Sequence, residues 1–170
     1  MRNALSQVDG RPRLTADATF VIGYGNRRRG DDAAGPLAIE SLAETGAQGL
    51  KLEEFDGDGM ALIELWAGID SVVVIDAIAS GRPPGSVFFF SADRIDEDGG
   101  LHCGSTHGLG LLEAVRLART LGRLPRRLWV VGVESERFEL GTEASQAVRR
   151  GARQAARLVA QRWGGGACTN

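Results

Sequence analysis

The sequence predicts an α/β fold: a three-layer sandwich around a five-stranded, mostly parallel twisted sheet with one antiparallel edge strand. Five short apolar runs, rich in β-branched residues, alternate with segments of helical periodicity. Three of these runs are almost continuously apolar, as expected for strands that helices cover on both faces. The link between the third and fourth runs is too short for a crossover helix, so one strand must be antiparallel.

The five predicted strands differ in how buried they should be. The second run, "LKLEEF", is the most polar and therefore suits an edge of the sheet. Only "IASGRPPG" separates the third run from the fourth, which places the antiparallel strand at an edge as well. The predicted strands cover residues 18–25, 50–55, 71–77, 86–90 and 127–133.

Helical segments separate the strands in an order that requires right-handed crossovers between the parallel ones. Thr142 is the candidate N-cap of the last and longest helix, because a threonine side chain can accept a hydrogen bond from the first turn. The predicted helices cover residues 33–47, 59–68, 108–121 and 143–163.

Length and composition predict a single domain. With 170 residues, of which 43% are hydrophobic, the chain fits one core over 18–163, between a polar N-terminal arm (1–17) and a tail (164–170). The formal net charge of −2 argues against a broad nucleic-acid surface and against a polybasic membrane surface.

Localisation is predicted from three absences in the sequence. The opening residues contain no apolar run of signal-peptide length, and no stretch approaches the ~18 apolar residues of a membrane span. Cys103 and Cys168 are too far apart, and too few, to form a disulfide framework. We therefore expect a cytoplasmic protein with no membrane association; the sequence leaves the oligomeric state open.

Three polar residues are predicted to meet at one edge of the sheet. Ligands of open α/β sheets bind outside the carboxyl ends of the parallel strands. The acids Asp31 and Asp32 follow the first strand, Asp76 ends the third, and His107 begins the helix that precedes the fifth. The topology thus gathers Asp32, Asp76 and His107 at one rim, although they are distant in sequence.

The stretch "VIGYGNRRRGDDAAGP" resembles a phosphate-binding turn only superficially. Its glycines are spaced G-x-G-x-x-x-x-G rather than G-x-G-x-x-G, and no Lys-Ser/Thr pair follows them. Asp31 and Asp32 would repel a phosphate approaching the start of the following helix. Nucleotide binding is therefore disfavoured.

Two carboxylates and one imidazole suit a divalent transition metal and leave a coordination position open. Each of these residues also has a possible structural role. Asp31 or Asp32 can cap the helix that follows, and we expect that one of them does so. Asp76 can accept hydrogen bonds from loop amides, and His107 can be a structural residue at a helix start.

His102 and Cys103 offer two further arrangements. A nucleophilic Cys103–His107 pair would have to keep its geometry across Gly104, which interrupts the helix. A zinc site of His102, Cys103 and His107 lacks the paired spacing typical of such sites. Both remain weaker alternatives.

Four segments, in the order found here, resemble the nickel–iron hydrogenase maturation proteases. They are "VIGYGNRRRGDDAAGPLAIESL", "VVVIDAIASGRPPGSVFFF", "STHGLGLLEAV" and "VVGVESERFELGTEASQAV". The resemblance implies an endopeptidase that removes a C-terminal extension from the hydrogenase large-subunit precursor after nickel insertion. It also implies that Asp32, Asp76 and His107 are the catalytic and metal-contacting residues. Our hypothesis is that they bind nickel carried by the substrate, and that other divalent metals can occupy the site.

The sequence departs from the family pattern at several positions. Arg27, Arg28 and Arg29 replace apolar or small residues, Ala33-Ala34-Gly35 replaces Gly-Val-Gly, and Ser135 replaces a proline. The arginines either form a solvated loop or dock an acidic part of a partner.

The sequence leaves the role of Glu134 and the activity itself open. Glu134, at the end of the last strand, can position the extension, or it can act as a helix-capping or salt-bridging acid. A non-catalytic metal-dependent chaperone of the same precursor, and a protease with an unrelated protein substrate, remain alternatives.

Overall fold

All five predicted strands are present in the computed structural model, which describes residues 18–95 and 110–165. Each strand begins and ends within one residue of its predicted run. In chain order they are β1 (Thr19–Tyr24), β2 (Leu50–Phe55), β3 (Ser71–Ile78), β4 (Val87–Ser91) and β5 (Arg127–Glu134).

The strands form one sheet in the order β2-β1-β3-β5-β4. β2, β1, β3 and β5 run parallel, and β4 pairs with β5 in the antiparallel direction. The predicted fold class is therefore confirmed. The two strands expected at edges, the polar β2 and the closely linked β4, are the two edge strands.

Four α-helices cover the two faces of the sheet within the described residues. They are α1 (Ala34–Glu44), α2 (Gly59–Leu65), α3 (Leu111–Thr120) and α4 (Gln146–Trp163). α1 and α4 pack on the face that carries Val21, Val73 and Ile75. Successive side chains of a strand point to opposite sides of the sheet, so the alternate residues of the same strands face the other side. α2 and α3 pack on that opposite face.

The last helix begins later than predicted. Ser145, not Thr142, is its N-cap: the Ser145 side chain accepts a hydrogen bond from the backbone N–H of Val148. Thr142 instead donates its hydroxyl hydrogen to the carbonyl of Glu139 within the preceding turn. The prediction for Thr142 was wrong because a threonine can satisfy either kind of turn, and sequence spacing does not distinguish them.

The other helix ends differ from the predictions by a few residues. α2 ends at Leu65, three residues before its predicted end, and a turn through Gly68 at φ 76° follows. α1 is preceded by a short 3₁₀ turn over Gly30–Ala33.

Some predicted segments lie outside the described residues. These are the N-terminal arm over 1–17, the first part of the third helix over 108–109, and residues 166–170 of the predicted tail. Within the described part of the chain, no helix has both the length and the apolar character needed to cross a membrane.

Candidate active site

The loop after β1 folds back tightly, and Gly25 permits this. Gly25 has φ 131°, and a Cβ at this position would collide with the backbone carbonyl of Asp32. The loop that carries Asp32 therefore lies directly against the end of β1. There the Asp32 carboxylate accepts a hydrogen bond from the backbone N–H of Asn26 (2.9 Å).

Asp31 faces in another direction from its neighbour. It is fully buried and accepts hydrogen bonds from the backbone N–H groups of Glu136, Arg137 and Ser145. It thereby ties the β1–α1 loop to the β5–α4 loop. A buried carboxylate is stable only when such partners replace water.

The expectation that Asp31 or Asp32 caps the following helix was wrong. The N-cap residue of α1 is Ala33, and that of the preceding 3₁₀ turn is Arg29; neither makes a side-chain capping bond. The 3₁₀ turn carries both carboxylates away from the first turn of α1, one toward the β5–α4 loop and the other toward Asn26.

Asp76 lies in a row of side chains that crosses the sheet near its carboxyl edge. β5 places Gly132 opposite Asp76, and Phe88 of β4 is opposite Gly132. On the other side, the last β1–β3 pair is Gly23–Ile75, and Tyr24 follows Gly23 on the face of the sheet that carries Val74 and Ile78, where the charge of Asp76 acts on its phenol. The groups near the carboxylate therefore include a phenol and a glycine.

These surroundings explain the electrostatics of Asp76. Burial raises its pKa well above the usual range, the negative charge of Asp32 raises it further, and a hydrogen bond from the Ala77 backbone opposes both effects. Asp32 and Asp76, which we call the acid pair, thus lie close enough for their charges to interact. Two partly desolvated like charges attract a cation, which removes their mutual repulsion.

The third predicted site residue, His107, lies outside the described residues, as do His102 and Cys103. Within residues 18–95 and 110–165, no group of three His, Cys, Asp or Glu side chains is arranged to hold a metal. Asp32 and Asp76 are two neighbouring carboxylates of the kind that bind a divalent cation. A complete metal site would need a further ligand from the rest of the chain or from a bound partner.

Glu134 serves to hold a loop. It is 3% exposed, and one carboxylate oxygen accepts from the backbone N–H groups of Ser80, Gly81 and Arg82. The other oxygen accepts from the Ser80 hydroxyl (2.7 Å). These bonds attach the loop that follows Asp76 to the end of β5, a role that neither alternative for Glu134 included.

The neighbouring Ser135 uses a hydrogen bond that proline cannot make. Its backbone N–H donates to the carbonyl of Ile78 (2.8 Å). The departure from the family pattern at this position therefore adds a contact between the ends of β3 and β5.

The three consecutive arginines differ in their surroundings. The guanidinium of Arg27 binds both oxygens of Glu54 (2.6 and 2.8 Å) and one of Glu40 (3.0 Å). Arg29 is partly buried, and its Nε has no hydrogen-bond partner in the part of the chain that the structure describes. Arg28 is exposed and is the arginine best placed to meet a partner.

A groove of about 390 Å³ opens beside this loop, and Asn26, Arg28, Phe55 and Asp56 contribute to its lining. Asn26 also binds Asp32 through its backbone N–H, so the groove lies beside Asp32. Its walls combine an aromatic ring, cations and polar groups.

Sequence reasoning missed Tyr24, the last residue of β1. The residue is 4% exposed, its ring stacks on Phe55 at 6.0 Å, and its hydroxyl has no hydrogen-bond partner among the described residues. Burial raises the pKa of Tyr24 to about 12, with further contributions from the charges of Asp76 and Asp32. The feature of the sequence that could have pointed to Tyr24 is its position between two glycines at the carboxyl end of a central strand.

The fold and the acid pair define a class: three-layer α/β proteins whose ligand site lies at the carboxyl edge of the sheet. Residues 38–162 match the family model described as hydrogenase maturation protease. The chain belongs to the hydrogenase maturation protease family, which confirms the resemblance. The match includes Asp76 and begins after Asp32.

Named relatives in bacteria and archaea show the same similarity. The chain is 31% identical over 117 residues to the hydrogenase expression/formation protein HupD of Thiocapsa roseopersicina, covering 68% of this chain and 53% of that protein. It is 30% identical over 132 residues to the protein FrxA of Pyrococcus furiosus, covering 76% and 93%. The matched region spans 53% to 62% of the length of the HupD and HoxM relatives from Thiocapsa roseopersicina, Azotobacter vinelandii and Rhodobacter capsulatus.

Solved structures share the fold. The [NiFe] hydrogenase maturation protease HybD from Thermococcus kodakarensis is 27% identical with a TM-score of 0.68, covering 86% of this chain and 99% of that one. The hydrogenase maturating endopeptidase HybD from E. coli is 26% identical with a TM-score of 0.64, covering 84% and 89%.

Proposed function

We propose that this protein is an endopeptidase that removes the C-terminal extension of a nickel–iron hydrogenase large-subunit precursor after nickel insertion. The observation that carries the proposal is the family match over residues 38–162. Two structural relatives named as a maturation protease and a maturating endopeptidase, each more than 25% identical, support it.

In this proposal Asp32, Asp76 and His107 bind nickel that the precursor already carries. The acid pair supports this role, because the two carboxylates repel each other and are partly desolvated. Oxygen and imidazole ligands suit nickel, and three protein ligands leave a position for the precursor's own groups. The bound nickel therefore distinguishes a precursor that has received its metal from one that has not.

Binding the nickel also orients the segment to be cut. Holding the scissile peptide bond near the two carboxylates raises the cleavage rate, because the reacting groups are already in position for the reaction. A water molecule at this edge can then be polarised by the nickel or lose its proton to a carboxylate. The chain thus positions the scissile peptide bond and supplies the charged carboxylates next to it.

The groove lined by Asn26, Arg28, Phe55 and Asp56 is our proposed path for the cleavage segment toward the acids. An extended peptide entering it would pass Asn26 before reaching Asp32. Arg28 is available at the groove to pair with an acidic residue of the precursor, whereas Arg27 is engaged with Glu54 and Glu40.

The proposal is tested by mixing a sub-stoichiometric amount of the protein with nickel-loaded and with nickel-free precursor and following the mass of the precursor. We expect many turnovers on the loaded form and none on the free form. His107→Ala should lower the rate by on the order of a hundredfold or more.

Three other outcomes would contradict parts of the proposal. Equal processing of both precursors would reject recognition through nickel. Binding of the loaded precursor without cleavage would favour a chaperone. Undiminished cleavage by His107→Ala would reject that site assignment.

A further inference from the structure

The Tyr24 hydroxyl is a buried polar group that no residue in 18–95 or 110–165 satisfies. Tyr24 is 4% exposed, and within the described part of the chain its oxygen has neither donor nor acceptor in reach. Buried hydroxyls nearly always have a partner, because losing water without replacement is unfavourable. An unsatisfied one beside a candidate site indicates a partner that binds from outside.

Three observations place this hydroxyl in the site. Tyr24 is the last residue of β1, one position beyond the last β1–β3 pair, and it lies on the face of the sheet shared by Val74 and Ile78, the residues two before and two after Asp76. The charges of Asp76 and Asp32 both act on its phenol. Its ring stacks on Phe55, which lines the groove beside the site.

The surroundings also define what the hydroxyl can bind. Besides Asp76 and Asp32, the charges of Asp58 at the start of α2 and of Glu113 in the first turn of α3 act on Tyr24. Four acids would repel a phosphate or a carboxylate. A phenol is a hydrogen-bond donor at neutral pH, so the fitting acceptor is uncharged, as a peptide carbonyl is.

We infer that the Tyr24 hydroxyl donates a hydrogen bond to a backbone carbonyl oxygen of the precursor's cleavage segment. This inference rests on the proposed function and adds a substrate-binding residue to the same site. The contact forms when the precursor binds, so it should affect binding more than the subsequent chemical step.

The test compares Tyr24→Phe, which removes one oxygen, with the unaltered protein on nickel-loaded precursor. We expect KM to rise about three- to tenfold, the effect of losing one neutral hydrogen bond, with kcat within about twofold. Thr120→Val serves as the control. It removes a hydroxyl at the far end of α3, where Thr120 bonds only within its own helix, and it should leave KM unchanged.

Stability gives a second readout, because the hydroxyl makes no bond to any described residue of the free protein and so adds none to that part of the fold. Tyr24→Phe should therefore unfold at the same temperature as the unaltered protein or higher. A clearly lower unfolding temperature would reveal an internal partner and overturn the inference.

The kinetic outcomes separate this inference from the proposed function. An unchanged KM for Tyr24→Phe, with or without a fall in kcat, would overturn the inference alone. Absence of cleavage by the unaltered protein would overturn the proposed function, and the inference with it.

Discussion

At the scale of single residues, four acids at the carboxyl edge have different environments. Asp31 and Glu134 bind backbone amides and hold loops together. The pKa of Asp76 is raised by its burial and by the negative charge of Asp32. The sequence predicted that acids gather at this edge. It could not predict which of two adjacent aspartates faces the site, because that depends on the 3₁₀ turn over Gly30–Ala33.

The raised pKa of Asp76 predicts a cost in stability when no metal is bound. The folded state keeps the proton at pH values where the unfolded chain, with an aspartate pKa of about 3.9, has lost it. The contribution of this group to the free energy of unfolding therefore decreases as the pH rises from about 4 through the folded-state pKa.

Asp76→Asn removes this ionisation, so the variant should be more stable than the unaltered protein at neutral pH in the presence of a chelator. Below about pH 4 the difference should shrink, since Asp76 is then protonated in both states. Urea unfolding over a series of pH values measures it. A variant less stable than the parent at neutral pH would contradict the electrostatic description.

At the scale of elements, the sheet was predictable and the turns were less so. Continuous β-branched runs such as "SVVVIDA" allow no other element, and the short link before β4 permits only an antiparallel edge strand. Helix starts were less certain, because Thr142 and Ser145 have equivalent capping chemistry. The hydrogen bond from the backbone N–H of Ser145 to Asp31, distant in sequence, helps to fix where α4 begins.

The contact between Glu134 and the loop after β3 can be tested by two substitutions. Glu134→Ala leaves the backbone N–H groups of Ser80, Gly81 and Arg82 without their acceptor, and should lower the free energy of unfolding by about 2–3 kcal/mol. Glu134→Gln keeps a carbonyl oxygen for these donors, and its amide can donate to the Ser80 hydroxyl, so it should cost clearly less. Chemical denaturation compares them, and a negligible loss in Glu134→Ala would show that the loop does not depend on these bonds.

At the scale of the whole molecule, the candidate site is assembled from loops that only the tertiary fold brings together. β1 ends with Tyr24, the turn that follows it carries Asp32, and β3, which pairs with β1, carries Asp76. Topology alone predicted that Asp32 and Asp76 share an edge. It could not predict that the hydroxyl of Tyr24 lacks a partner among the described residues, because an apolar strand gives no sign of how its last side chain is satisfied.

The paired aspartates provide the most direct test of our central claim, that the two neighbours divide into a site acid and a structural acid. Asp32→Asn can still accept the bond from Asn26, so it should fold normally yet lose on the order of a hundredfold or more in cleavage of nickel-loaded precursor. Asp31→Asn places an amide group against backbone donors, so it should lose about 2–3 kcal/mol of stability while the folded fraction still cleaves.

The decisive measurement is the cleavage rate per folded molecule for these two variants, obtained by mass spectrometry of the precursor together with the folded fraction from circular dichroism. We predict near-parental cleavage for Asp31→Asn and almost none for Asp32→Asn. Comparable rates for the two variants, or loss confined to Asp31→Asn, would contradict the account.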